Sequence, residues 1–242
     1  MIVATDCLPI AFRPEMVRAI RAGRKTQTRR LATGLEDVVR IATHEEFLAR
    51  SPHPLSRDPM PRTAFVERRS GAIVGVRCPY GRPRTHLWVR EAWRTVEGED
   101  RTKPRDLNPA HRFWYEADAP HQPGYGKLRP AMFMPRFASR MTLEVVSSRL
   151  ERLRDISEAD AMAEGVERVV VGEGWRRYCD DEIVGVPPCV TARDSFCALW
   201  EQINGPGSWA ENPLLWVVEF KVLSPLEHAR LKSCEERAYA SR

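Results

Sequence analysis

Short strand patterns, separated by turns rich in proline and glycine, recur along this chain of 242 residues and limit its fold more than any other feature. Alternating or continuous apolar runs predict strands at residues 8–12, 26–31, 64–67, 72–76, 87–96, 112–117, 140–150 and 214–223. Helical spacing of apolar residues predicts helices at residues 14–22, 157–165 and 191–203. Short strands with two or three flanking helices indicate an α+β domain built around one β-barrel.

Three irregular segments interrupt this pattern, and we expect them to be insertions in a single domain that covers residues 1–223. They lie near residues 32–62, 97–110 and 172–190, and the first of them holds four prolines between Pro52 and Pro61. The tail at residues 224–242 is charged, and its pattern leaves open a frayed helix or a disordered end.

Charge is distributed unevenly along the chain. Residues 1–154 carry 29 Lys and Arg against 17 Asp and Glu, a net charge of +12, and the remaining residues carry −7, which gives +5 overall. Clustered cations raise the local concentration of phosphate, so a nucleotide or nucleic-acid partner is favoured. The alternative is codon bias, since 33 of the 38 basic residues are arginine, as a GC-rich genome would give.

The remaining composition predicts a cytoplasmic protein without a metal or a cofactor. No apolar run approaches the roughly 18 residues that a membrane span needs, and no basic and then apolar leader begins the chain. The six cysteines are scattered without a C-x-x-C pair, which indicates reduced thiols. The histidines show no metal-ligand spacing, and no phosphate-binding glycine loop is present.

The stretch from Ala22 to Arg30 is the strongest candidate for a functional site. Gly23 is suited to end the first helix, and a polar, basic run then enters a strand. This run brings Lys25, Thr28, Arg29 and Arg30 within six residues of one another. Such a set serves a polar ligand better than it serves an apolar core. An amine loses its proton more easily than a guanidinium when cations surround it, so Lys25 is the candidate titratable group.

Glu91 is the second candidate, because it lies on the strand predicted at residues 87–96. Alternation places it on one face with Leu87, Val89 and Trp93, where a carboxylate is costly unless it is paired or lines a cavity. Two interpretations therefore stay open: a buried ion pair with a nearby arginine, or a carboxylate at the mouth of a barrel. Further along the chain, Arg136 is a candidate contact for an anion.

Gly23, Lys25 and Arg30 fit the Gly-x-Lys-x-x-x-x-Arg pattern, and the chain resembles the ASCH family of the PUA-like superfamily in this motif. Further stretches resemble a phage- and prophage-associated branch of that family: residues 78–81, 87–93, 134–140 and 200–209. Together they extend from about residue 8 to residue 222. The resemblance implies a PUA-like β-barrel and a nucleoside, nucleotide or RNA held in its cleft.

Some members of the family are amidohydrolases that remove the acyl group from N4-acetylcytidine with a lysine, a threonine and a glutamate. The resemblance matches Lys25 and Thr28 to the first two, and Glu91 is the expected counterpart of the glutamate. In this reading Thr28 supplies a hydroxyl, Lys25 acts as its base, and Arg30 stabilises developing charge or orients Glu91. Lys25 and Thr28 have opposite parity on a regular strand, so their convergence requires Lys25 to lie in the turn before it.

The resemblance also leaves other functions open. A non-catalytic module would bind RNA or a modified base through Trp93, Tyr115, Arg29 and Arg136. A ribonuclease would use Lys25 and Arg30 against the scissile phosphate. Protein partners leave no sequence signal, so they stay unknown.

Overall fold

The computed structural model describes residues 7–50, 64–118, 122–169, 172–178 and 187–240, with side chains up to residue 233. Two compact units divide the chain. Unit 1 takes the described residues of Met1–Gly23, Pro83–Val145 and Phe220–Arg242, and unit 2 those of Arg24–Arg82 and Val146–Glu219. Each unit combines separate stretches of the chain. The assignment of residues 1–223 to one domain stays a prediction.

The structure contains both helices and several sheets, which confirms the α+β class. The described helices are α1 (Pro14–Arg21), α2 (His44–Arg50), α3 (Glu158–Ala163), α4 (Ala192–Asn204) and α5 (Pro225–Ala240). The described strands are β1 (Cys7–Ala11), β2 (Gln27–Leu31), β3 (Val38–Ala42), β4 (Ala64–Arg68), β5 (Ile73–Val76), β6 (His86–Arg90), β7 (Trp93–Arg94), β8 (Trp114–Tyr115), β9 (Thr142–Arg152) and β10 (Leu214–Val222).

Unit 1 contains a small sheet and a two-stranded ribbon. Strand β1 pairs in parallel with β6, which pairs antiparallel with the first residues of β9. The ribbon joins β7 to β8. Its hydrophobic cluster consists of Trp88, Trp93, Leu107, Met134 and Ala138. Burying such large aromatic side chains contributes much of the free energy that stabilises this unit.

Unit 2 contains the motif strand β2, which pairs antiparallel with β10 and places Thr28 opposite Val218. A second sheet has the order β3-β4-β5. Helix α2 packs Phe47 into the cluster of Ala42 and Ile73 that belongs to this second sheet. Hydrogen bonds do not close the described strands of either unit into a barrel.

Three sequence predictions about the secondary structure were wrong. Residues 32–62 are not irregular throughout, because β3 and α2 occupy residues 38–42 and 44–50; residues 51–62 lie outside the described ones. The strand predicted at residues 87–96 is interrupted at Glu91 and Ala92, so that it forms β6 and the short β7. Five described helices replace the two or three that were expected.

The other irregular segments agree better with expectation. Residues 97–110 contain two single 3₁₀ turns, and the described parts of residues 172–190 form no helix and only isolated bridges. The charged tail is helical as α5, and its Leu231 is buried. Of the two alternatives for the tail, the helix is therefore the one observed. No described helix is long and apolar enough to cross a membrane.

Thr191 caps α4, and this contact gives a prediction for stability. Its hydroxyl oxygen accepts a hydrogen bond from the Asp194 N–H at 3.0 Å. Thr191→Ala removes this acceptor and is expected to lower the free energy of unfolding by about 1 kcal/mol. Thr191→Ser keeps the hydroxyl and serves as the control in urea unfolding. An equal loss in both variants would contradict the capping role.

Candidate active site

The turn after α1 delivers Lys25 to the end of α3. Gly23 adopts a φ of 72°, which lets the chain leave the helix without the strain that a side chain would cause. The backbones of Lys25 and Glu164 then form an antiparallel bridge, and the Thr26 N–H donates to Ala163 O at 2.9 Å. Lys25 therefore precedes the regular strand β2, as its proposed convergence with Thr28 requires.

Lys25 and Glu164 form a buried ion pair in unit 2. The Lys25 Nζ donates to Glu164 Oε2 at 2.7 Å and to the Glu164 carbonyl oxygen at 2.8 Å. Only 3% of Lys25 is exposed. Burial lowers the pKa of the Lys25 ammonium below its ordinary value, and the Glu164 carboxylate offsets part of this effect. The buried Lys25 ammonium therefore loses its proton more easily than an ordinary lysine does.

Arg29 reaches the same carboxylate from β2. Its Nη1 donates to Glu164 Oε1 at 3.1 Å, and its Nη2 donates to Glu151 Oε2 at 2.8 Å. Its guanidinium also lies over the Phe196 ring, with 5.9 Å between the guanidinium carbon and the ring centroid. Both oxygens of Glu164 are thus occupied, one by Lys25 and one by Arg29. Arg29 fixes the orientation of the carboxylate that faces Lys25.

Arg30 and Thr28 complete the motif. Arg30 interacts electrostatically with both Lys25 and Glu164, and burial lowers the pKa of its guanidinium while Tyr80 and Glu164 oppose this shift. Alternation along β2 places Thr28 on the same face of the strand as Arg30. Thr28 is buried, at 4% exposure. The motif strand thus carries a hydroxyl as well as two guanidiniums.

The site combines a lysine, a carboxylate, two guanidiniums and a hydroxyl, and in the part of the chain that the structure describes no group of His, Cys, Asp and Glu is arranged to hold a metal ion. The models of known protein families, the curated proteins and the solved structures give no match to this chain. Its function is therefore inferred from the chemistry of this cluster together with the motif.

Glu91 has a different set of contacts, all in unit 1. Its two oxygens accept hydrogen bonds from Arg140 Nε and Nη2, each at 2.8 Å, and Glu91 is 1% exposed. Arg140 also pairs with Asp118, which pairs with Arg21. Burial opposes ionisation of Arg140, but its hydrogen bonds to Glu91 and Asp118 raise the pKa of the guanidinium. Of the two interpretations of Glu91, the structure shows the buried ion pair.

The three residues expected to bind a base or a phosphate in unit 1 have structural contacts. Trp93 is fully buried in the hydrophobic cluster, so its ring offers no surface for stacking. The Tyr115 hydroxyl donates to Ala138 O at 2.7 Å, and the Arg140 guanidinium covers its ring at 3.9 Å. Arg136 lies over the Trp88 ring at 5.6 Å. These contacts do not favour a ligand-binding role for Trp93 or Tyr115.

Glu164 is the functional candidate that the sequence analysis missed. It is 139 residues away from Lys25 along the chain, and no motif connects the two. One local signal was present: Glu164 directly precedes Gly165 at the predicted end of a helix. A carboxylate is unfavourable there, because the carbonyl groups at a helix C-terminus carry partial negative charge. An acid in this position indicates a compensating cation, which is here Lys25.

Proposed function

We propose that this protein is an ASCH-like amidohydrolase that acts on the acylated amine of a cytidine-type nucleoside, free or within RNA. The observation that carries the proposal is the buried Lys25–Glu164 pair at 2.7 Å, formed by the lysine of the Gly-x-Lys motif. The lysine, threonine and glutamate of the related hydrolases would be Lys25, Thr28 and Glu164. A PUA-like barrel and a cytoplasmic location belong to the same proposal.

The chemistry follows from the groups at the site. The neutral Lys25 amine accepts the proton of the Thr28 hydroxyl, and the Thr28 oxygen attacks the acyl carbon. The carbonyl electron pair moves to the acyl oxygen and gives a tetrahedral intermediate. When the carbonyl bond forms again, the bond between the acyl carbon and N4 breaks. Lys25 then gives its proton to the departing amine. Water hydrolyses the Thr28 ester, releases the carboxylic acid and restores the hydroxyl.

Glu164 and Arg30 support these steps. The Glu164 carboxylate holds the protonated form of Lys25 through its hydrogen bond, so that the proton is retained until the amine leaves. Arg30 places positive charge near the pair and stabilises the negative charge that develops on the substrate. Since Lys25 and Glu164 are almost fully buried, these charges act in a medium of low dielectric constant, where they are strong.

The proposal is tested by incubating the purified protein with N4-acetylcytidine, as nucleoside and within an RNA oligomer, and measuring released cytidine. The parent is expected to release cytidine, and Lys25→Met is expected to reduce turnover by about 100-fold or more. Lys221→Met removes an exposed lysine and is the matched control. Absence of turnover in the parent would overturn the hydrolase. Cleavage of the oligomer would instead support the ribonuclease.

The pKa of Lys25 predicts the pH dependence of this reaction. Only the neutral amine accepts a proton, and its fraction grows as the pH rises through the pKa of Lys25 in the folded protein. Because burial lowers that pKa, turnover should rise with pH and reach its plateau below the ordinary pKa of a lysine. A pH–rate profile that falls over this range would contradict the role of Lys25 as base.

A binding module for RNA is the second candidate, and a feature of unit 1 favours it. The Trp114 and Tyr125 rings, both partly exposed, lie 4.5 Å apart at 30°. The exposed Arg112 covers Trp114 at 5.3 Å and has no acidic partner among the described residues. Aromatic rings and cations of this kind bind single strands by stacking and by phosphate contact. RNA affinity that is lost in Trp114→Ala, without any turnover, would favour this function.

A further inference from the structure

The ion pair of Lys25 and Glu164 continues through Arg29 to two more carboxylates of unit 2. The Arg29 Nη2 lies 2.8 Å from Glu151 Oε2 and 3.5 Å from Asp160 Oδ2, while its Nη1 donates to Glu164 Oε1 at 3.1 Å. Only 1% of the Arg29 side chain is exposed. One buried cation thus joins the acid that faces Lys25 to two other acids.

Glu151 makes the shorter of these two additional contacts. It lies on β9 and Arg29 lies on β2, and both strands are neighbours of β10 in the sheet, so that the ion pair spans β10. Arg149 is farther from the Glu151 carboxylate, at 3.8 Å, and donates to Glu219 at 2.6 Å. The charge of Glu151 therefore acts chiefly on Arg29.

The charges around Lys25 decide how firmly it holds its proton. They come from Glu164, just after α3, and from Arg29 and Arg30 on β2. Burial lowers the pKa of Lys25, the Glu164 carboxylate raises it, and the two guanidiniums lower it further. The carboxylates that contact Arg29 offset its positive charge, so that the loss of one of them strengthens the repulsion between Arg29 and the Lys25 ammonium.

We infer that Glu151 is a positioning residue of the proposed hydrolase, which holds Arg29 against the Glu164 carboxylate and offsets its charge. This inference rests on the proposed function. Lys25 has to accept the Thr28 proton and later give it to the departing amine, so its affinity for the proton must suit both steps. Glu151 adjusts that affinity through Arg29, and not through contact with the substrate.

The test compares the pH dependence of turnover in Glu151→Gln with that in the parent, using N4-acetylcytidine as substrate. The glutamine keeps an acceptor oxygen for Arg29 and removes the negative charge, so the pKa of Lys25 should fall. The rise of kcat with pH is therefore expected to move to lower pH by about half a unit. Its plateau should be about threefold lower, because a weaker base accepts the Thr28 proton less readily.

Glu67→Gln is the matched control for this change. Glu67 also belongs to unit 2, its side chain is 20% exposed against 18% for Glu151, and it pairs with Arg40 and Arg50. Its variant loses the same charge at an ion pair that does not involve Arg29, and it should keep the pH midpoint of the parent. An equal shift in both variants would overturn the inference, since the net charge of the protein would then be the cause.

The protonation of Lys25 is also measured without substrate. The chain contains five lysines, so an NMR titration of protein labelled with ¹³C at the lysine Cε gives few signals, and Lys25→Met identifies the signal of Lys25. Glu151→Gln is expected to move this titration to lower pH, which a purely structural ion pair would not do. If the titration stays that of the parent, the inference fails and the proposed function stands or falls by its own test. If the titration moves but the parent releases no cytidine, the proposed function fails and the catalytic role of Glu151 fails with it.

Discussion

Replacing Arg140 by leucine is expected to lower the free energy of unfolding by about 3–5 kcal/mol. The guanidinium binds both oxygens of Glu91 at 2.8 Å, and Glu91 is 1% exposed. The leucine would leave this carboxylate buried without a cation or a donor. Its desolvation cost would then no longer be offset, which makes the loss far larger than that of a surface ion pair.

Two further variants identify the cause of this loss. Arg40→Leu breaks the ion pairs of an arginine whose side chain is 43% exposed and should cost at most about 1 kcal/mol. The double variant Glu91→Leu/Arg140→Leu removes both charges and should recover a large part of the stability, because an apolar pair carries no desolvation cost. Urea unfolding measures all four proteins. A double variant as unstable as Arg140→Leu would show that the charge of Glu91 is not responsible.

Elements with a strong local signal were predictable from the sequence. Helix α4 has a capping threonine, an apolar face and a terminal Asn-Gly, and the structure confirms its position. On its apolar face Phe196, Leu199 and Trp200 are buried, but Ile203 is 38% exposed. The last turn of the helix extends beyond the core. The spacing of apolar residues places Ile203 on the apolar face, but it does not show where the core ends.

Residues 38–50 contain a pattern that predicts the start of a helix, but we gave more weight to the prolines that follow it. Thr43 and Glu46 form a reciprocal capping box: the Glu46 N–H donates to the Thr43 hydroxyl, and the Thr43 N–H donates to the Glu46 carboxylate. This Thr-x-x-Glu spacing is a known start of a helix. The prolines that follow from Pro52 onward led us to treat the whole segment as irregular. The Thr-x-x-Glu capping box was enough to predict this helix, whereas the proline-rich composition of residues 32–62 as a whole was misleading.

The candidate site was predictable only in part. The type and spacing of residues 25–30 identified Lys25 without any knowledge of the fold. Its partner Glu164 lies just after α3, and no periodicity records that contact, so the glutamate was sought on the strand predicted at residues 87–96. Glu91 is buried there, but Arg140 satisfies it. Burial of an acid thus reveals that a cation is near, and only the structure shows which cation it is.

A comparison of two variants decides which glutamate is catalytic: Glu91, which the sequence suggested, or Glu164, which the structure suggests. Glu164→Gln keeps the size of the side chain and removes the charge that faces Lys25 at 2.7 Å. It is expected to reduce turnover of N4-acetylcytidine by about 10²- to 10⁴-fold, because the proton on Lys25 is no longer held for the departing amine. Glu91→Gln makes the same chemical change at the Arg140 pair and should keep the kcat of the parent.

Both variants leave the neighbouring cations with another acceptor, which makes them a matched pair. Lys25 retains the Glu164 carbonyl oxygen and Arg29 retains Glu151 when the Glu164 side chain is neutral, and Arg140 retains Asp118 when Glu91 is neutral. Melting curves measured by circular dichroism identify a temperature at which both variants are folded. Released cytidine is then measured at that temperature with a saturating concentration of substrate. Loss in Glu164→Gln alone assigns the catalytic carboxylate to the end of α3. If only Glu91→Gln loses turnover, the catalytic carboxylate is that of Glu91 in the Arg140 pair. The Lys25–Glu164 contact would then serve stability.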